Sequence, residues 1–366
     1  MKEILINHIF PAWYKLCAKK KIKNKALFIE IREKKLTSNF AGIIEFIRKK
    51  SCLNDIKVQK HFLLLGGTSM PGYVVRCFLL MPKLATAKYA FISDSSNVIA
   101  ALKLRKETTL VQTWHACGAL KKFGNSIGAD NRYYGNESIM TVSSENVVDF
   151  YHEATGLDVD RIYPIGVSRT DIFYQEKFKK NCCRLREHFL KGRNKKIILY
   201  APTYRGNVAD ASQVLPDFSL FHERLGQEYI MLVKLHSAIS CRIDDRYSEF
   251  LYDISDSISI ENAMGICDIL ITDYSSLIFE YALLGKPAVF YAPDYEAYCV
   301  ERGFYIDYLN EMPGKVCYSP AEVIIEIKNG AFDVNRMKRF RNKYMSACDG
   351  NSTKRLAGLV FEKQNL

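Results

Sequence analysis

The stretch Ile266 to Pro293, ICDILITDYSSLIFEYALLGKPAVFYAP, is the part of the chain that most restricts its fold. Ile269, Leu270 and Ile271 make a short apolar run closed by Asp268 before it and Thr272-Asp273 after it, as in a parallel strand covered on both faces. Asp273-Tyr274-Ser275-Ser276 is then a turn. Leu277, Ile278, Tyr281, Ala282 and Leu284 recur at helical spacing, Gly285 stops the helix, and Pro287 opens a second apolar run, Ala288 to Tyr291. This is a βαβ unit. Its helix begins at adjacent serines, which offer backbone N–H groups, two hydroxyls and the positive end of a dipole, so the turn suits a phosphate. Serine and aspartate are equally the ordinary N-caps of helices, and both readings stand at this point.

The same alternation extends in both directions. Strands are expected at Ala26 to Ile31, His61 to Leu65, Tyr89 to Ile92, Thr109 to Thr113, Ser138 to Val142 and Arg161 to Ile165. Helices are expected at Phe40 to Lys50, at Tyr73 to Met81, and from the turn Ser93-Asp94-Ser95-Ser96 to Leu104. A second strand series comprises Ile197 to Tyr200, Tyr229 to Leu235, Ser257 to Ile260, Ile269 to Thr272, Ala288 to Tyr291 and Gly314 to Cys317. With 366 residues, 48% of them hydrophobic, the chain can bury a large core and is long enough for two domains. The polar segment Ser168 to Arg193 is the expected boundary. The division is an N-terminal segment 1–23, α/β domains at 24–175 and 176–335, and C-terminal helices at 336–366. Two tandem Rossmann-like, doubly wound domains with an interdomain cleft form the GT-B arrangement of nucleotide-dependent transferases.

Composition excludes several classes. Eleven cysteines without CxxC pairs, and no signal-peptide pattern, read as reduced thiols in a cytoplasmic chain. The seven histidines lack metal-ligand spacing and no DxD-type pair appears among the motifs that carry chemistry, so no metal is expected. No run reaches the roughly 18 apolar residues of a membrane span. The net charge of +12 is concentrated in residues 1 to 60, which carry fifteen Lys and Arg against five Asp and Glu. There Ile6, Ile9, Phe10, Trp13, Leu16 and Cys17 share a helical face before Lys19-Lys20-Lys21, with Pro11 splitting or kinking the helix. Such a segment suits either an anionic membrane surface or a helix packed on the protein. Basic surface also fits nucleic acid, but no RNP, zinc-finger or helix-turn-helix pattern supports that partner.

Three further strand ends carry chemistry. In Gln112-Thr113-Trp114-His115-Ala116-Cys117-Gly118 a histidine just past a strand, in a glycine-containing loop, is placed to take a proton from an acceptor hydroxyl. Lys234-Leu235-His236 delivers two groups able to neutralise a diphosphate leaving group, and Thr203-Tyr204-Arg205 supplies a hydroxyl and a guanidinium for phosphate oxygens. Each alone has an ordinary structural explanation, and a lone histidine at a strand end is more often a satisfied surface or core residue. Their recurrence across two α/β domains points to a site.

The motifs QTWHACGALKKFG, LYAPTYR, VKLH, ITDYSSLIFEYALLGKPAVFY, ERGFYIDYLNEMPG and CDGNSTKR, in this order over residues 24 to 362, resemble those of CDP-glycerol glycerophosphotransferases of the teichoic-acid and capsule-polymer type. Ala116-Cys117 is a departure, since many members have glycine directly after the histidine. The resemblance implies a transferase moving glycerol phosphate from CDP-glycerol to a hydroxyl of a lipid-linked or polymeric acceptor, at the inner face of the cell membrane, with release of CMP and no obligatory cofactor. It implies His115 as general base and His236 on the diphosphate, with Thr203, Arg205 and Lys234 nearby and Gly118 in the substrate-binding loop. Ser275 and Ser276 would bind phosphate and Glu280 the ribose, while Asp273 is either a ligand contact or a turn former. A CDP-ribitol ribitolphosphotransferase, a GT-B nucleotide-sugar glycosyltransferase and a non-catalytic membrane scaffold are the competing readings.

Overall fold

The computed structural model describes residues 1–128, 133–205, 215–235 and 247–362. The chain divides into two compact units, one of Met1–Gly118, Lys122–Asp171 and Ser346–Leu366, the other of Ala119–Lys121 and Ile172–Met345.

The sheet of the first unit contains β1 (Lys23–Glu30), β2 (Lys57–Phe62), β3 (Ala87–Ile92), β4 (Thr109–Gln112), β5 (Ile139–Thr141) and β6 (Ile162–Tyr163). All pairs are parallel and the spatial order is β2-β1-β3-β4-β5-β6. The apolar run of β1 is buried on both faces with the strand period of two. Leu27 and Ile29 enter one core with Leu80, Met81 and Leu84, whereas Ala26 and Phe28 enter the other with Phe40, Ile43 and Leu356. The residues expected as the second strand, His61 to Leu65, overlap β2 only at its end. This strand starts at Lys57 because it is an edge: its register runs from Lys57 opposite Lys25 to Phe62 opposite Glu30, and it has no need of an apolar face on each side.

At the amino terminus, Pro11 lies in the first two positions of the helix Phe10–Cys17. The turn before it, Leu5–Ile9, is a π-helix in which Phe10 N–H donates to the Leu5 carbonyl. The expected apolar face is divided in two. Phe10, Tyr14 and Cys17 are buried against the helix Met70–Leu84, and Trp13 Nε1 donates to the Phe78 carbonyl at 3.2 Å. Ile9, Trp13 and Leu16 remain exposed, as do Met70, Val75 and Leu79 of the helix Met70–Leu84.

The second unit contains β7 (Lys196–Tyr200), β8 (Tyr229–Val233), β9 (Leu251–Asp253), β10 (Ile269–Thr272), β11 (Ala288–Tyr291) and β12 (Val316–Cys317), again all parallel. Their order, β12-β11-β10-β7-β8-β9, places the reversal of winding between β7 and β10, where such sheets bind ligands at their carboxyl edge. The βαβ unit forms as expected: β10, the helix Leu277–Ala282, Gly285 at φ +64°, then β11. The strand expected at Ser257 to Ile260 is absent there. Ser259 instead caps the helix Ile260–Ile266 by accepting from Asn262 N–H, and the edge strand β9 lies earlier.

Candidate functional site

In the first unit, the carboxyl ends of β3 and β4 are tied together before His115 emerges. Thr113 donates its N–H to the Ile92 carbonyl at 2.8 Å and its hydroxyl to the same oxygen at 3.1 Å. The buried Gln112 side chain accepts from Trp114 N–H at 3.1 Å and donates to the Asp94 carbonyl at 3.2 Å. Trp114 then takes a left-handed backbone, φ +56°, a conformation that costs a non-glycine residue about 1–3 kcal/mol. Its indole offsets this by packing on Phe123, Tyr134 and Tyr151, with centroids 5.5, 6.0 and 6.1 Å away.

This turn delivers His115 to the end of β3. Its Nδ1 lies 3.1 Å from the Ser93 carbonyl, which can only accept, so Nδ1 carries the proton and Nε2 is left with its lone pair. Asp94 Oδ1 stands 3.7 Å from Nδ1, and Arg32 Nε holds Asp94 Oδ2 at 2.7 Å. The imidazole keeps 48% of its side-chain surface open. Desolvation by the surrounding atoms nonetheless lowers its pKa below the ordinary value, against the Asp94 carboxylate and the Ser93 carbonyl, which raise it. The neutral form therefore predominates near pH 7, as a general base requires. Arg169 Nη1 fixes the loop by donating to the His115 carbonyl. Gly118, at φ +61°, donates its N–H to Ser143 Oγ at 3.1 Å and accepts from Tyr151 Oη at 2.8 Å, so both its backbone polar groups shape the loop.

In the second unit the loops after β7, β10 and β11 converge on Arg205. Its Nε and Nη2 donate to the two Asp294 oxygens at 2.6 and 3.0 Å, and Nη1 donates to Asp273 Oδ2 at 2.9 Å and the Thr203 carbonyl at 2.7 Å. The guanidinium carbon lies 4.9 Å from the ring centroids of both Tyr274 and Tyr298. Burial works against the Arg205 charge, but the Asp294 and Asp273 carboxylates hold it protonated. Asp273, 2% exposed, also accepts from Thr203 N–H at 2.7 Å, and burial pushes its carboxyl pKa up against these partners. Ser275 and Ser276 follow on the same turn. Ser275 Oγ accepts from Leu277 N–H, while the Ser276 hydroxyl makes no capping bond. Glu280, one turn into the helix, is 4% exposed. Among the described residues no group of three or more His, Cys, Asp or Glu is arranged to hold a metal.

Comparison with known proteins gives the family and the fold. The family model CDP-Glycerol:Poly(glycerophosphate) glycerophosphotransferase matches residues 13–362. The chain belongs to this family. It is 34% identical over 358 residues to the teichoic acid poly(ribitol-phosphate) polymerase of Bacillus spizizenii strain W23, covering 93% of this chain but only 57% of that one. It is 35% identical over 303 residues to the teichoic acid glycerol-phosphate primase of Bacillus subtilis strain 168, covering 79% of this chain and 77% of the primase. The solved structure of the wall teichoic acid polymerase TagF superposes with a TM-score of 0.79 at 21% identity, covering 100% of this chain and 95% of that chain. That likeness establishes the GT-B-type fold of this glycerophosphotransferase-family member.

Of the residues expected at the site, Thr203, Arg205 and Asp273 are brought into direct contact, with Ser275 and Ser276 on the adjoining turn. Lys234 ends β8 but its ammonium is committed to the carbonyls of Ile254, Ser255 and Ile258, at 3.4, 2.5 and 2.7 Å. His236 lies outside the described residues. The sequence reading passed over Asp94, Arg32 and Asp294, although Asp94 and Asp294 also follow strand ends. That position was the available signal.

Proposed function

We propose that this glycerophosphotransferase-family protein transfers an alditol phosphate from a CDP-alditol to a hydroxyl of a lipid-linked or polymeric acceptor. The observation that carries the reading is the His115 arrangement, in which a protonated Nδ1 faces the Ser93 carbonyl and Nε2 remains basic. The acceptor hydroxyl gives its proton to His115 Nε2 and its oxygen attacks the β-phosphorus, while the bridging P–O bond breaks and CMP leaves with the electron pair. Thr203, Ser275 and Ser276 bind donor phosphate, Glu280 meets the ribose, and His236 stabilises the departing CMP. Arg205 and Asp273 act by fixing the loop that carries Thr203.

CDP-glycerol is the donor suggested by the sequence motifs. CDP-ribitol is the second reading, favoured by the 93% of this chain that aligns with a poly(ribitol-phosphate) polymerase. The lipid-linked acceptor requires a membrane nearby, and no described helix is long and apolar enough to cross one. Ile9, Trp13 and Leu16, outward on a helix followed by Lys19, Lys20, Lys21 and Lys23, would seat the first unit on the anionic inner face.

The deciding assay measures CMP release from CDP-glycerol and from CDP-ribitol, each with a short lipid-linked acceptor. Release from one donor that depends on acceptor and is lost in His115→Ala is the expected result. Release from neither, or equal release by His115→Ala, would overturn it. His236→Ala is expected to weaken both donor binding and turnover, and unchanged affinity by calorimetry would remove it from the phosphates.

A further inference from the structure

Buried and half-buried lysines with several bonds to the protein are used up by the protein itself. Lys234 gives its ammonium to three carbonyls. Lys286 likewise bonds the carbonyls of Met264, Gly265 and Cys267. Lys25 bonds Gln59 Oε1 and Thr86 Oγ1. These cations tie loops and strands together and have little left for a ligand.

Lys121 differs. Its backbone is fixed within the second unit, by an isolated antiparallel bridge to Phe304 and by Tyr305 N–H donating to the Leu120 carbonyl at 3.0 Å. Its Nζ stands 6.0 Å from the centroid of Tyr298, the ring that stacks on Tyr274 at 3.9 Å and flanks Arg205. Among the described residues Nζ has no hydrogen bond and no ion pair, so its three donors are available. The neighbouring arrangement of Arg205 with Asp273 and Asp294 carries two negative charges against one positive, and Arg205 commits three N–H donors to these carboxylates and a further one to the Thr203 carbonyl. Unaided, it would repel a diphosphate. Thr203, bonded to Asp273 through its N–H, has a buried hydroxyl beside the same carboxylate.

We propose that Lys121 Nζ, with the Thr203 hydroxyl, binds a phosphate group of the CDP-alditol donor, the charge role that Lys234 was expected to fill. This rests on the donor reading above. The amine is prepared for an anion: desolvation lowers its pKa to about 8, with Asp273 raising it and Arg302 and Arg205 lowering it. Bound phosphate would raise that value. The contribution of Lys121 is therefore full below pH 8 and is lost as pH rises above it. The other groups facing the amine do not titrate in that window, since Arg205, Tyr274 and Tyr298 are shifted upward and Asp294 downward, and Asp273, although raised, is a carboxyl.

The test is calorimetric titration of the full chain with CDP-glycerol and CDP-ribitol, for the wild type, Lys121→Gln and Lys121→Arg. Lys121→Gln is expected to raise Kd about ten- to a hundredfold, the range for losing a hydrogen bond between charged groups. Lys121→Arg is expected to retain binding and to abolish the fall in affinity that the wild type shows between pH 8 and 10. An unchanged Kd in Lys121→Gln, or a wild-type affinity flat over that range, overturns the proposal. If the wild type binds neither CDP-alditol, the donor reading fails, and inorganic pyrophosphate becomes the probe: equal binding by wild type and Lys121→Gln then overturns the anion site as well. Thermal melting of Lys121→Gln is expected to lie close to the wild type, because among the described residues Nζ makes no hydrogen bond or ion pair and only a distant contact with the Tyr298 ring.

Discussion

The carboxyl edges of the two sheets are built on opposite electrostatic plans. At the end of β4 a single ionisable ring stands half open, backed by one carboxylate that is itself held by Arg32. At the ends of β7, β10 and β11 an arginine is held by two aspartates and packed against a stacked pair of tyrosines. The first arrangement leaves a lone pair to exchange protons. The second keeps its charges fixed through any ordinary pH change. A reaction needing one proton acceptor and one stationary phosphate cradle would use both, and similar sheets serve both because the chemistry sits in the loops.

The comparison can be broken from either side. His115→Ala is expected to slow transfer about 10²–10⁴-fold, the usual contribution of a general base, with donor affinity nearly unchanged. Near-normal single-turnover rates would take the base elsewhere. Arg205→Met leaves the buried Asp273 and the half-buried Asp294 without their counter-charge, and stability measured by urea unfolding is expected to fall by about 3–5 kcal/mol. A loss under 1 kcal/mol would mean that the loops reorganise, and the idea of a fixed cradle would fail.

Smaller effects sharpen the contrast. Lys234→Met strands carbonyls of the loop after β9 and is expected to lose about 1–3 kcal/mol in the same assay. The pH profile of kcat/KM should rise with pH through an acid limb below the usual imidazole value, because His115 is lowered and must be neutral to act. Asp94→Asn removes a group that raises that pKa, so the limb should move to still lower pH while the plateau rate drops. A limb that stays in place would separate Asp94 from His115. Neutralising Lys19, Lys20, Lys21 and Lys23 should weaken co-sedimentation with anionic vesicles by about 1 kcal/mol for each lysine near the surface, with activity on a soluble acceptor retained.

What could be read from the chain follows from where its signals lie. The β10–helix–β11 unit was legible because central strands are apolar on both faces and end in turn residues; β2 and β9 were displaced because edge strands lack that constraint. His115 and Arg205 were visible as residue types at strand ends. The pairing of Arg205 was hidden, because Asp273 and Asp294 come from two other strand ends, and the commitment of Lys234 depends on carbonyls some twenty residues onward. Tyr14, buried in the first unit's core, lies beside Trp13 in sequence, and the residue with the larger apolar ring is the more exposed of the two, at 37%.

Residues after Ser346 return to the first unit. There Asp171 accepts from the N–H groups of Ser352 and Thr353, while Leu356, Ala357, Val360 and Phe361 complete one of its cores. On the ribosome the order of events is therefore set by topology. The second unit has its whole chain once Met345 has been made, whereas the first, begun earlier, waits with one face of β1 and β3 uncovered until the last helix emerges. A chain stopped short of that helix would carry a finished second unit beside an open hydrophobic surface, and so would be a target for chaperones and proteases.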